Sequence, residues 1–128
     1  MNTFSGKKDF GCWGEQIAAD FLKKQGFQIV SRNFRCPYGE IDLIAKEKDI
    51  WCFIEVKTRK SKSYGYGFDS VTRIKQKHIT KVAQYYLGQL ALYEAPARFD
   101  VVSIDYVSAE DYQIQFIRNA FYMSADYS

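Results

Sequence analysis

The sequence has little histidine and cysteine and no long apolar run. Its single histidine and three cysteines show none of the short, repeated spacings of zinc sites, and the widely spaced cysteines do not resemble a disulfide framework. No apolar run approaches the roughly 18 residues that a membrane-spanning helix requires. Residues 1–13 have no apolar stretch after their lysines, unlike a secretory signal. We therefore expect a cytoplasmic protein without a membrane partner, in which a metal would need oxygen ligands and would be magnesium or manganese.

The chain does contain enough apolar material for a core. Of its 128 residues, 47% are hydrophobic and 17% are aromatic. Chains that remain disordered lack this much apolar and aromatic material. Two independent cores would each be too small to be stable, so we expect residues 1–128 to form a single domain.

Hydrophobic spacing predicts two helices and five strands. Apolar residues recur at helical spacing in residues 10–25 and again in residues 71–92, where Ser70 is a plausible N-cap. The predicted strands are residues 27–35, 40–46, 50–58, 98–107 and 112–117. Short turns join the first three strands, which favours an antiparallel meander. The order predicts an α+β fold with a central mixed sheet of about five strands flanked by helices.

Acids and a lysine interrupt two of the apolar strands. Alternation places Glu40 and Asp42 on one face of the second strand, with Ile41 and Leu43 on the other, and it places Glu55 and Lys57 on one face of the third. Charges in such strands are costly unless they are paired or hold a metal. If Asp42 and Glu55 converge, a cation between them would relieve their repulsion. The alternative is an ion-pair cluster at a strand end.

A third carboxylate and a basic segment accompany these residues. Glu15 lies at the margin of the first helix's apolar stripe, where it either faces the sheet or is an exposed helix acid. Residues 57–81 hold eight Lys or Arg and one acid, a charge of +7, while the whole chain carries only +3. Their excess of positive charge suggests contact with a polyanion, although solvated lysine-rich helix faces are common. The candidate phosphate contacts are Arg59, Lys60, Lys62, Arg73, Lys75, Lys77 and Lys81.

Several strings along the chain resemble the YraN-like family of predicted endonucleases. They are GEIDLIA at residues 39–45, FIEVKTR at 53–59, G-x-x-G-E-x-x-A at 11–18, SVTRIKQ at 70–76, RFDVV at 98–102 and RNAF at 118–121. The family is distantly related to Holliday-junction resolvases and shares the PD-(D/E)xK nuclease fold. The resemblance implies a nuclease-like domain in which Asp42, Glu55 and Lys57 take the three motif positions and Glu15 takes the glutamate of the first helix. Ile41 stands where the family has proline.

Three functions are compatible with these features. The first is a magnesium- or manganese-dependent endonuclease that acts on DNA, such as branched DNA, with Asp42 and Glu55 as metal ligands and Lys57 and Glu15 as further catalytic residues. The second is a catalytically silent nucleic-acid-binding module with the same fold. The third is a partner-binding domain that uses the aromatic residues 116–127 as an interface. A homodimer is also expected if the chain behaves like resolvases.

Overall fold

The computed structural model of the chain describes residue 4, residues 6–60 and residues 72–121. Its elements follow the predicted order of helix, three strands, helix and two strands. They are α1 (Lys7–Lys24), β1 (Gln28–Cys36), β2 (Gly39–Glu47), β3 (Ile50–Lys60), α2 (Arg73–Gln89), β4 (Ala97–Ser108) and β5 (Asp111–Phe121). Gly26, with φ 96°, follows the C-terminal end of α1, as its sequence position predicted.

The five strands form one mixed sheet in the order β1-β2-β3-β4-β5. β1, β2 and β3 pair antiparallel, which confirms the predicted meander, and β4 pairs antiparallel with β5. β3 and β4 run parallel because α2 carries the chain back between them. The α+β fold with a central mixed sheet is therefore as predicted.

Each face of the sheet is covered by one helix. The apolar cluster on the α1 side consists of Ala18, Ala19, Leu22, Phe27, Leu43, Ala45, Cys52, Ile54, Val102 and Ile104. The cluster on the α2 side consists of Ile41, Ile44, Trp51, Phe53, Ile79, Val82, Ala83, Leu87, Phe99, Val101 and Phe121. Because β3 and β4 are buried on both faces, their apolar residues are nearly continuous in the sequence.

The predicted start and apolar stripe of α2 were partly wrong. The helix begins at Arg73, and the Thr72 hydroxyl caps it by accepting a hydrogen bond from the Lys75 N–H at 3.1 Å. Ile74 is 70% exposed, and His78, which the spacing placed on or near the stripe, is exposed. Ser70 and Val71 lie outside the described residues. The fully buried residues of α2 start at Ile79, after the first turn of the helix.

The start of the aromatic segment at residues 116–127 belongs to the core. Phe116 contacts the rings of Phe21 and Phe27 edge-on, at centroid distances of 5.9 and 5.7 Å. Phe121 is buried and stacks on Phe99 at 4.7 Å. Phe121 is thus part of the core and Phe116 is partly buried against it, whereas residues 122–127 lie outside the described part of the chain. None of the helices in the described residues has the length and apolar character needed to cross a membrane.

Candidate active site

The pairing of β2 with β3 stops at the candidate site. The last paired residues are Leu43 and Ile54, and beyond them the two strands separate. There the side chain of Asp42 takes over the role of the missing backbone partner, because its Oδ2 atom accepts a hydrogen bond from the Val56 N–H at 2.8 Å. The separation of the strands thus leaves a notch that begins at a carboxylate.

The alternation of side chains along β2 also breaks at Asp42. Ile41 packs in the α2-side cluster and Leu43 in the α1-side cluster, so the prediction that they share a face was wrong. On the neighbouring strand, Asn33 has a φ of 54°, a left-handed conformation that asparagine tolerates better than most residues. Asn33 lies between the paired positions Arg32–Leu43 and Phe34–Ile41. The alternation of side chains between the two faces of the sheet therefore breaks at the same place in both strands.

Asp42 and Glu55 converge in this notch. Glu55 is only 5% exposed, and the two carboxyl groups are close enough to share a hydrogen bond. Burial, followed by repulsion from Glu55, raises the pKa of Asp42 to about 7, against the opposing hydrogen bond from Val56; Glu15 adds to the rise. Asp42 therefore holds its proton to a higher pH than an ordinary aspartate.

Two lysines lie against Glu55. The Nζ atom of Lys57 is 3.8 Å from Glu55 Oε2, and the Nζ atom of Lys75, from the first turn of α2, is 2.5 Å from the same oxygen. Burial and the neighbouring Lys75 lower the pKa of Lys57. Burial also acts to lower the pKa of Lys75, but its hydrogen bonds and its attraction to Glu55 raise it overall. The site therefore contains two lysines of different basicity on one carboxylate.

The sequence placed Lys75 among the phosphate-binding residues, and its match to the family string left open that it faces the site. A signal was present, since Arg73, Lys77 and Lys81 recur every four residues and Lys75 projects from a different side of the helix. What the spacing could not supply was the packing of α2, which brings this side to Glu55.

Glu15 reaches the site from α1 but remains at its margin. Its charge contributes to the raised pKa of Asp42, so the two carboxylates lie within electrostatic range. Within the described residues, however, no three His, Cys, Asp or Glu side chains are grouped closely enough to form a metal-binding set. The oxygen donors brought together are those of Asp42 and Glu55.

A groove of about 620 Å³ opens beside the carboxylates. We call it the β3-edge groove; its lining residues are Phe10, Gly11, Glu15, Val56, Lys57, Thr58, Arg59 and Lys60. Its depth is set by the close approach of α1 to β3. A Cβ atom at Gly14 would lie 2.0 Å from Thr58 Oγ1, so only glycine permits this approach.

The remaining basic residues are distributed over two regions. Lys60 is exposed at the end of β3, and Arg59 lies 3.7 Å from Asp105. Arg73 and Lys77 are exposed on α2, while Lys81 lies over the Tyr38 ring at 6.0 Å. Lys62 lies outside the described residues. The predicted stripe is thus solvent-facing at its first two positions and packed against the β1–β2 turn at the third.

The chain belongs to the uncharacterised protein family UPF0102, the YraN-like family, whose family model matches residues 14–104. Three relatives bear the name UPF0102 protein. The one from Caldicellulosiruptor saccharolyticus is 44% identical over 116 residues, which cover 90% of this chain and 98% of the relative. The one from Desulfosudis oleivorans is 48% identical, covering 90% and 91%. The one from Clostridium perfringens is 44% identical, covering 89% and 94%.

Proposed function

We propose that this protein is a metal-dependent endonuclease that hydrolyses phosphodiester bonds in DNA, including branched DNA. The observation that carries the proposal is the Asp42–Glu55 pair, two converging carboxyl groups at the point where β2 and β3 separate. A strand pair that only stabilised the sheet would gain nothing from repelling carboxyl groups. A strongly perturbed pKa next to a groove is typical of a functional site.

The donor set fits magnesium or manganese. Magnesium is usually held by one or two carboxylates, with water and substrate phosphate as its other ligands, and Asp42 and Glu55 supply two carboxylates. Burial first, and then repulsion from Glu55, raise the pKa of Asp42, and a bound cation would favour the ionised form of this carboxyl group. A bound ion would supply a water of lowered pKa and neutralise charge on the phosphate.

The chain's own residues have distinct roles in this proposal. Asp42 and Glu55 would hold the ion, and the Val56 N–H fixes the orientation of the Asp42 carboxylate. Lys57 lines the groove, where its ammonium group can donate hydrogen bonds to a phosphate oxygen as charge develops. Lys75 forms an ion pair with the same Glu55 oxygen that Lys57 faces, and it positions that carboxylate.

The DNA would be held through its backbone. Lys60, Arg73 and Lys77 are exposed cations near or beyond the site, suited to phosphate contacts that do not read sequence. With no element identified for base readout, recognition would depend on DNA shape, such as a branch. The mixed sheet with two converging carboxylates also supports the relationship to resolvases and the PD-(D/E)xK fold implied by the sequence resemblance.

A catalytically silent nucleic-acid-binding module is the second candidate. One observation favours it: Lys75 already forms a close ion pair with Glu55, so this carboxylate has a cation partner within the protein. In that reading the site is a structural cluster, and the exposed basic residues alone carry the function.

Cleavage of a panel of labelled DNAs distinguishes the two candidates. The panel contains four-way junction, flap, nicked, single-stranded and linear duplex DNA, each with Mg²⁺ or Mn²⁺. We expect the wild type to cut at least one branched DNA and Asp42→Asn to lower the rate at least about 100-fold. Asp20→Asn, an exposed acid on α1, is the matched control and should keep the wild-type rate. Binding without cleavage by the wild type would establish the binding module instead.

A further inference from the structure

The β3-edge groove follows the free backbone edge of a strand. Five consecutive residues, 56–60, line it. Side chains alternate between the two faces of a strand. A cavity that contacts five consecutive residues must therefore lie along the backbone edge of the strand. The other edge of β3 is paired with β4 as far as Lys60, and among the described residues no strand pairs with β3 on the β2 side beyond Ile54. The groove therefore runs along this edge from Val56, the residue after Glu55, whose N–H donates to Asp42.

Gly11 is a helix residue that the packing of the protein does not explain. A glycine inside a helix destabilises it by roughly 0.5–1 kcal/mol relative to alanine. At Gly14 the close contact with Thr58 accounts for this cost, but a Cβ at Gly11 would meet no protein atom within 4 Å. Gly11 nevertheless lines the groove. Among the described residues, the space above Gly11 on the groove side is therefore open.

The chemistry of the lining identifies the occupant. Phe10 offers an aromatic surface, and its ring is fixed by contacts with Phe4, Trp13 and Tyr106 at centroid distances of 5.4, 6.1 and 5.2 Å. Three cations line the groove together with Glu15: Lys60 is exposed, Lys57 lies 3.8 Å from Glu55, and Arg59 lies 3.7 Å from Asp105. An aromatic platform beside positive charge is the combination by which proteins bind a nucleic-acid strand with unstacked bases.

We infer that the β3-edge groove binds a single strand of nucleic acid, with a base against Phe10 and phosphates toward Lys57 and Lys60. The volume of about 620 Å³ is in the range of small-ligand pockets, so it suits one or two nucleotides rather than a duplex. This inference rests on the proposed nuclease function and narrows it, because it makes an unpaired stretch next to the cleaved phosphate the substrate class. An acidic peptide added along the free strand edge is the competing occupant.

Two substitutions at Gly11 test the inference without requiring cleavage. Binding of a labelled oligo(dT) and of a blunt duplex is measured by fluorescence anisotropy in EDTA, for the wild type, Gly11→Leu and Gly11→Ala. Leucine adds a bulky side chain on the groove side of α1, and alanine adds a single methyl group, which would meet no atom of the described residues within 4 Å. Stacking of one base on an aromatic side chain typically changes affinity about 5- to 150-fold. We therefore expect Gly11→Leu to weaken oligo(dT) binding about tenfold or more and Gly11→Ala to weaken it less, whereas all duplex affinities should stay within about twofold of wild type.

The outcomes separate this inference from the proposed function. If a folded Gly11→Leu variant binds oligo(dT) as tightly as the wild type, the groove assignment is overturned. It is also overturned if this variant loses binding to an oligoglutamate peptide but not to oligo(dT). If Gly11→Leu loses the wild-type melting transition, Lys60→Glu replaces it and must weaken oligo(dT) binding more than Lys24→Glu, an exposed control on α1. The cleavage panel with Asp42→Asn decides the nuclease function separately. If the groove binds oligo(dT) but the protein cuts none of the DNAs, this inference stands and only the proposed nuclease function is rejected.

Discussion

Two clusters of buried or half-buried charge lie toward opposite ends of the same sheet, and they differ in how their charges are compensated. The site cluster consists of Glu15, Asp42, Glu55, Lys57 and Lys75. The arginine cluster, where β2 ends and β3 and β4 begin, consists of Glu47, Arg98, Asp100 and Arg118. Folding buries charged groups at least in part in both clusters. Comparing the two therefore shows how the partners of each charged group affect its pKa and the stability of the protein.

In the arginine cluster every carboxylate is held by a guanidinium. Arg98 Nε donates to both oxygens of Asp100, at 2.9 and 3.1 Å, and Arg98 Nη1 donates to Glu47 at 3.0 Å. Arg118 holds both oxygens of Glu47, and the Asn119 N–H donates to Asp100 at 2.9 Å. Both guanidinium groups also lie over the Phe27 ring. Such forked, planar contacts suit a permanent structural ion pair.

The two clusters shift pKa values in opposite directions. Hydrogen bonds from Arg118 lower the pKa of Glu47, so folding favours its charged form. In the site cluster, burial and Glu55 raise the pKa of Asp42 to about 7, and burial lowers the pKa of Lys57. Folding thus disfavours the charges of Asp42 and Lys57, although it favours the charge of Lys75. Unfavourable charges of this kind are expected where a local rule is broken for function.

The largest expected effect is the loss of Arg98. Arg98→Met leaves Asp100, which is 1% exposed, as a buried carboxylate without its guanidinium. Breaking a buried pair by removing one partner typically costs about 3–5 kcal/mol. We expect a loss of that size in the free energy of unfolding, measured by urea denaturation at pH 7. Lys57→Met is the comparison and should cost below about 1 kcal/mol, because the lowered pKa of Lys57 shows that its charge gains little from folding. Equal losses would remove the distinction between the clusters.

The second effect concerns Lys57 and cleavage. Lys57→Ala leaves both carboxylates and the exposed cations of α2 in place, so folding and Mn²⁺ binding should be retained. We expect the cleavage rate to fall about 10²- to 10³-fold, the usual effect of losing one charge-stabilising group. Lys24→Ala, at the exposed end of α1, should cleave like the wild type. A lower melting temperature with unchanged cleavage would show that Lys57 belongs with the structural arginines.

The fold followed from the sequence more closely than did the details of the site. All seven elements were predicted in order, because the periods of apolar residues and the short turns act locally. The strands extend beyond their predicted ends where pairing partners continue, as β5 does to Phe121. The start of α2 was misplaced because Ile74 fits the helical period yet lies where no sheet surface covers it. The period of apolar residues predicts which face of a helix is apolar. It does not predict where the sheet surface that covers this face ends.

Within the site, the carboxylates were identified because charge inside apolar strands is detectable in a sequence. Their convergence depends on two features that are not. One is the change of face of β2 at Asp42, opposite the left-handed conformation of Asn33. The other is the packing of α2, which brings Lys75 to Glu55. Both arise from tertiary geometry, and neither leaves a periodic signal.

The smallest expected effect is the pH dependence of stability at Asp42. The folded state retains the proton of this carboxyl up to about pH 7, while the unfolded chain loses it near 3.8. The contribution of Asp42 to wild-type stability should therefore fall as the pH rises from about 4 to about 7, and it should level off above pH 7. Asp42→Asn cannot ionise and keeps an acceptor for the Val56 N–H. In EDTA it should match the wild type near pH 4 and exceed it by about 1–3 kcal/mol at pH 8.

Glu47→Gln provides the opposite sign in the same measurement. Because the folded-state pKa of Glu47 is lowered, its ionised form stabilises the protein above the unfolded pKa of 4.5, and this contribution is lost as the pH falls. Glu47→Gln should thus be less stable than the wild type at pH 8, and the difference should shrink in acid. The exposed Asp20→Asn should show neither trend. If Asp42→Asn instead followed the pattern of Glu47→Gln, Asp42 would be an ordinary ion-paired carboxylate, and the basis for a metal at the β2–β3 notch would be gone.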